Sequence, residues 1–203
     1  MNAAFDSRLG ADRIKGIAAM LFTAVLWSTS GLVIKLVDWN PIAITGSRSL
    51  IAALLLIAVT RRFRLPKSKT AWASVVSYTL TMLTFVVANK LTTSANAIFL
   101  QYLAPAFVAV LGIYLLKEKL RLLDWLILLG VMCGMVLFFL DRIGPGETAG
   151  NIISVVSGLF LALFIVFMRL EAVRSGGGDS RPIDHMICGH LLAACISVPF
   201  VIA

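Results

Sequence analysis

Seven apolar stretches, each about twenty residues long and parted by short polar connections, fill nearly all of this 203-residue chain. A helix needs roughly twenty apolar residues to cross a hydrocarbon core about 30 Å thick, because each residue advances the axis by about 1.5 Å. The sequence therefore predicts membrane spans at 16–37, 41–60, 71–90, 95–116, 122–140, 150–170 and 184–203. With 60% hydrophobic and 14% charged residues, a water-soluble bundle would expose far too much apolar surface. A membrane β-barrel needs alternating segments of about ten residues. Runs such as LIAALLLIAV are continuously apolar instead. The expected fold is thus all-α, a polytopic transmembrane helical bundle.

The formal charge of +8 invites a nucleic-acid reading, but the basic residues lie in alternate loops. Arg8, Arg13 and Lys15 precede the first span; Arg61, Arg62, Arg64, Lys67 and Lys69 join the second and third. Lys117, Lys119 and Arg121 follow the fourth, and Arg169, Arg174 and Arg181 follow the sixth. Those are fourteen of the eighteen cations, against Lys35, Lys90 and Arg142 on the opposite side. This bias is the positive-inside pattern, which predicts a cytoplasmic amino terminus and, by accounting for the charge, no nucleic-acid partner. The first apolar segment exceeds a signal-peptide core, so it is expected to remain attached. Cys133, Cys188 and Cys195 all fall within apolar spans and read as small packing residues.

Laying Gly16 on Gly150 brings Lys35 onto Arg169, a weak repeat with a shift of 134 residues. Five spans separate the copies, so the second enters the membrane in the opposite sense, the inverted-repeat design of many secondary transporters. The expected organisation is a five-helix repeat over 1–143 and the first two spans of a second repeat over 150–203. The closing residues CISVPFVIA carry no polar segment beyond the last span. They read as a chain cut short of three further spans, or as a span that ends at the interface.

TAVLWSTSGLVIKL in the first span, the single Arg48 in the second, and ANKLTTSANAIFLQYLAPAFVAVLGIYLLKEKL through the third and fourth resemble the EamA-like branch of the drug/metabolite transporter superfamily. The resemblance covers the first five helices. It implies ten spans in two inverted five-helix halves around a central cavity, through which small metabolites such as amino acids move, usually outward. A chain of seven spans departs from that pattern, and a cavity built from both halves does not close within it.

Polar residues within spans are costly and tend to face a bundle interior or cavity. Thr23, Trp27 and Ser30 recur at helical spacing in the first span; Thr45, Arg48, Ser49 and Ala52 in the second; Ser77, Thr81, Thr84 and Ala88 in the third. These stripes predict three inward faces, which either line a substrate cavity or permit close helix packing. Arg48 is the sharpest signal. It lies about seven residues from the outer end of its span, roughly 10 Å deep by helical rise, where a guanidinium needs a partner. A substrate carboxylate or phosphate supplies one through paired hydrogen bonds; snorkelling and carbonyl contacts are the alternatives. Asn96, Gln101 and Tyr102 form the polar part of the fourth span. There Pro105 frees the Gln101 carbonyl and is expected to kink the helix, as a gating hinge or a static bend. Trp27 and Tyr102 either stack on substrate or pack on neighbours.

Glu118, in the run KEKLR, resembles a recurrent family glutamate; it is expected to pair with Lys117 or Arg121, or to serve an inner gate. Gly130 and Gly134 form a GxxxG, suited to contact within one subunit or to a homodimer. All ten acidic residues, among them Asp38, Asp124, Asp141 and Asp184, sit in loops or at span ends. No embedded carboxylate is therefore offered to a proton, which favours facilitated diffusion or exchange. His185 and His190 are about 140° apart on a helix, a poor metal pair, and read as structural. No nucleophile, metal or phosphate-loop motif occurs, so neither enzyme activity nor a cofactor is expected. The glycine-rich stretch 175–181 reads as a flexible connector. The function expected is alternating-access transport of small metabolites across the inner membrane, with a non-transporting scaffold or a half-transporter awaiting a partner as the alternative. Small-molecule substrate and lipid bilayer are the partners implied.

Overall fold

Polar caps at the ends of the apolar runs decide where helices begin. Asn40 accepts the Ile42 amide at 2.9 Å ahead of Pro41, and Ser68 accepts the Ala71 amide at 2.9 Å, each satisfying an amide that the first helical turn leaves unpaired. The computed structural model describes residues 3–61, 63–118, 121–139, 147–175 and 181–202. Arg62, Lys119, Asp141, Arg142, most of the glycine-rich connector and Ala203 lie outside the described residues. Helix α1 is Ala3–Leu36, α2 Pro41–Thr60, α3 Lys69–Leu91, α4 Ser94–Gln101 and α5 Ala104–Leu111. A π-helical turn, Gly112–Leu116, follows; then come α6, Leu122–Phe139, α7, Thr148–Arg174, and α8, Pro182–Ile202. No strand occurs among the described residues.

Among the described residues, six segments are long and apolar enough to cross a membrane: Arg13–Leu36, Pro41–Thr60, Lys69–Leu91, Ser94–Leu116, Thr148–Arg174 and Pro182–Val201. Leu122–Met135 forms a shorter apolar helix. The chain is a polytopic helical membrane bundle.

The fourth span is not the single kinked helix that the sequence predicts. It breaks at Tyr102 and Leu103 into α4 and α5, with Pro105 in the first turn of α5, the place where a missing amide hydrogen costs nothing. The Gln101 carbonyl turns toward α7, where a Cβ added to Gly158 would lie 2.9 Å from it. The kink therefore seats backbone on backbone, which only glycine at 158 permits.

At the centre of the bundle, α3 packs along α7 and also meets α8, while α2 runs along α8 and α4 and α5 lie on α7. Small and hydroxyl residues let these helices approach closely: Ser49, Ala53, Ser74, Val75, Thr81, Ser154, Ser157 and Ala193 are fully buried. Ile34, Ile44, Phe85 and Val86 form an apolar cluster at the end remote from the basic loops, with Val37 and Ile98 packed on it.

Two expectations change here. The stripe on the first span is not inward among the described residues, because α1 packs chiefly on α3 and α4 and lightly on both, leaving Trp27 68% exposed and Thr23 exposed as well. The close helix contact expected of Gly130 and Gly134 is also not made within the chain. Nothing described lies within 4 Å of a Cβ added to either, since α6 packs extensively on no other element.

Candidate functional site: a polar core around Arg48

The site grows from three helices. Helix α2 brings Arg48, half-buried, to the side facing α3 and α8. Helix α3 supplies Tyr78 and α8 supplies His190, each only 7% exposed. The Tyr78 hydroxyl lies 2.9 Å from His190 Nε2, and the two rings meet edge to face with centroids 5.1 Å apart. Phe164 of α7 packs on the other side of the tyrosine at 4.8 Å. Glycine at 189 makes room for the phenol, since a Cβ there would sit 2.5 Å from Tyr78 Cδ1. The neighbouring Gly189 carbonyl accepts from Thr79 Oγ1 at 3.0 Å, which fixes the register of α8 against α3.

Arg48 acts electrostatically on both Tyr78 and His190, yet among the described residues it makes no hydrogen bond or ion pair. Two further buried polar atoms have no partner there: Ser49 Oγ, on the residue beside Arg48, and His190 Nδ1. Buried polar atoms are almost always hydrogen-bonded, so a cation and two orphan atoms in one region mark a place made for something polar.

Toward the basic end, His185 Nδ1 lies 2.7 Å from Ser74 Oγ, whose own hydrogen goes to the Ala71 carbonyl at 2.8 Å. The imidazole is therefore the donor in that pair. Glu171 accepts from Ser68 at 2.6 Å, and Asp184 from the Arg64 amide at 3.4 Å. These groups border a cavity of about 250 Å³, also lined by Lys67 and Arg181. The two histidines, read from sequence as structural, and Tyr78, which the sequence did not single out, thus belong to polar contacts between α3 and α8. Sequence spacing missed them because each partner lies more than a hundred residues away.

The other expected site residues separate into distinct settings. The hydroxyls of Thr81 and Thr84 bond backbone carbonyls of their own helix, at 2.8 Å to Ser77 and 2.6 Å to Leu80. Gln101 donates to Ser157 at 2.9 Å, and Ser157 in turn to the Thr81 carbonyl at 3.3 Å, tying α4, α7 and α3 together. Asn96 donates to Glu147 at 2.9 Å; Thr92 Oγ1 lies 2.9 Å from the same carboxylate and 2.8 Å from Asn151 Oδ1. Ser30 bonds the Trp27 carbonyl at 2.8 Å, and Tyr102, like Trp27, faces outward, 55% exposed. Arg48 thus meets none of the other expected site residues through a hydrogen bond.

Glu118 pairs with Arg169 at 2.8 Å, not with Lys117 or Arg121. The π-helical turn carries Glu118 to the end of α7, while the Arg121 amide is taken by Asp124 at 2.8 Å.

A polytopic bundle that holds a charged side chain inside a span has the makings of a membrane carrier. The model of the EamA-like transporter family matches residues 14–140, more than half of the chain, and the chain belongs to that family, within the drug/metabolite transporter superfamily. No curated protein and no solved structure matches it.

Proposed function

We propose that the chain works as a secondary transporter of small metabolites, amino acids or related compounds, across the inner membrane by alternating access, with its amino terminus cytoplasmic. Membership of a transporter family supports the class. The observation that carries the site is the Arg48 guanidinium, set within a span without a hydrogen bond or ion pair among the described residues. A carboxylate or phosphate on the substrate satisfies it by a bidentate contact that lysine does not reproduce. Trp27, Ser30, Thr81, Thr84, Asn96, Gln101 and Tyr102 remain candidates for the wall of the path, with the break before Pro105 as its flexing point.

The test is efflux and counterflow in proteoliposomes containing the full-length native polypeptide. Substrate-dependent flux that Arg48→Lys weakens severalfold at unchanged protein level supports the reading. No flux across a broad metabolite set removes it.

A second reading, a half-transporter, has its own observation. Gly150 on α7 packs so tightly that an added Cβ would lie 2.6 Å from Leu91, whereas its repeat counterpart Gly16 on α1 has nothing described within 4 Å. In the inverted-repeat reading, that open face of α1 is where further helices seat, from the same polypeptide or a partner. The intact mass of the membrane-purified native product, tagged at its amino terminus, distinguishes one source from the other.

A further inference from the structure

The cavity at the basic end lies where the loop after α2, the end of α7 and the start of α8 meet. Its volume of about 250 Å³ falls below the roughly 300–1,000 Å³ of drug-sized sites and suits a small charged group. Both signs of charge line it: Arg64, Lys67 and Arg181 on one hand, Glu171 and Asp184 on the other. The carboxylates are the unusual members. Glu171 is 9% exposed and Asp184 4%, yet neither forms an ion pair among the described residues, where the pair present is Glu118–Arg169. Glu171 accepts one hydrogen bond, from Ser68 at 2.6 Å. Asp184 accepts one from the Arg64 amide at 3.4 Å, near the long limit for such a bond. The helix dipole favours a carboxylate in the first turn of α8, but it does not require that the side chain be buried. A buried carboxylate is costly unless a cation or several donors face it, so these two call for a positive, hydrogen-bonding partner in the space they border.

We propose that this cavity binds a zwitterion in which a primary ammonium stands beside a phosphate, and that its source is the headgroup of an aminophospholipid in the adjoining leaflet. The ammonium donates its hydrogens to Glu171 and Asp184, and the phosphate meets Arg64, Lys67 and Arg181. Position favours a lipid as the source. The cavity lies at the ends of the spans Pro41–Thr60, Thr148–Arg174 and Pro182–Val201, the level of headgroups in a bilayer. Leu65, in its wall, and nearby Phe63 stay 65% and 36% exposed, which gives the rim apolar contact for acyl chains. A trimethylated headgroup carries the same charges but no N–H, and a glycerol headgroup lacks the cation altogether; both leave the carboxylates without a donor. The site is separate from Arg48 and does not depend on the transport reading.

The test is native mass spectrometry of the full-length native polypeptide, titrated in detergent with phosphatidylethanolamine, phosphatidylcholine or phosphatidylglycerol, reading the first bound lipid. Phosphatidylethanolamine should bind roughly tenfold more tightly than phosphatidylcholine, the worth of a hydrogen bond to a charged group. Asp184→Asn and Glu171→Gln keep the acceptor oxygens used by Arg64 and Ser68 and drop the charge, so each should erase most of that preference. Arg181→Gln should weaken phosphatidylethanolamine and phosphatidylglycerol alike, whereas Lys35→Gln, at the opposite end, should change neither. Equal binding of phosphatidylethanolamine and phosphatidylcholine by the unaltered chain, or a preference that survives in both carboxylate variants, overturns the proposal. The first of these comparisons needs no variant, so it holds even if the substituted chains do not fold. Free phosphoethanolamine as competitor separates the sources. Displacement of the lipid only at large excess supports a headgroup site, and displacement at equal concentration overturns the lipid assignment in favour of a soluble zwitterion. Because the readout is binding, absent flux would retire the transport reading alone.

Discussion

Position 189 has room for hydrogen and nothing larger. An alanine Cβ there would press on Tyr78 Cδ1 at 2.5 Å, and the ring is wedged between His190 and Phe164. Gly189→Ala should therefore cost about 1–3 kcal/mol, the range for overpacking a well-filled site, read as lowered thermal stability of the purified chain in detergent. Adding Tyr78→Leu should return part of that loss; no recovery in the double variant would place the strain elsewhere. Tyr78→Phe removes one oxygen and leaves both His190 nitrogens without partners. A buried polar group deprived of its hydrogen bond costs about 1–3 kcal/mol, so this conservative change should also lower stability measurably, and a neutral result would mean that water already serves the ring. At this scale the sequence was only partly readable. Arg48 stood out because charge inside an apolar run is conspicuous by itself. His190 did not, because its meaning depends on a tyrosine 112 positions away and on the glycine that seats it.

Among the elements, span lengths were legible and their interruptions were not. A proline in an apolar run signals a bend, but whether the helix bends or breaks depends on the room that a neighbour leaves for the freed carbonyl, and here Gly158 of α7 leaves it. Gly158→Val should force α4 and α7 apart and lower thermal stability by about 1–3 kcal/mol, with an unchanged melting curve as the contrary result. Stripes of Ser and Thr announced α3 and α2 as packed helices correctly, since small polar faces serve close approach. The same signal failed on α1, whose face is covered by little else in the described structure. The Glu118–Arg169 pair illustrates a related gap. Chain neighbours offered Lys117 and Arg121, whereas helix packing delivered a cation from α7. With side chains 51% and 40% exposed, that pair belongs with solvent-screened ion pairs, and a double-mutant cycle of Glu118→Gln and Arg169→Gln should return a coupling below about 1 kcal/mol. A larger coupling would mean that the pair is shielded in the membrane-embedded state and would make it a credible gate.

For the whole molecule, the distribution of charge carries a prediction about orientation. Helices α2 and α3 cross in opposite directions, so the loop holding Arg64 and Lys67 lies on the side opposite Asp38. The fourteen cations on the first of these sides draw it to the cytoplasm, because translocating clustered Lys and Arg near span ends is disfavoured. Replacing Cys133, Cys188 and Cys195 leaves a background in which single cysteines report sidedness. Asp38→Cys should react in intact cells with a membrane-impermeant maleimide. Lys67→Cys should react only after the cells are opened. The reverse pattern would invert the bundle and put the cavity beside His185 on the outer face, while labelling of both sites in intact cells would mean that the chain inserts in two orientations. Either result decides which solution reaches the cavity lined by Glu171, Asp184 and His185.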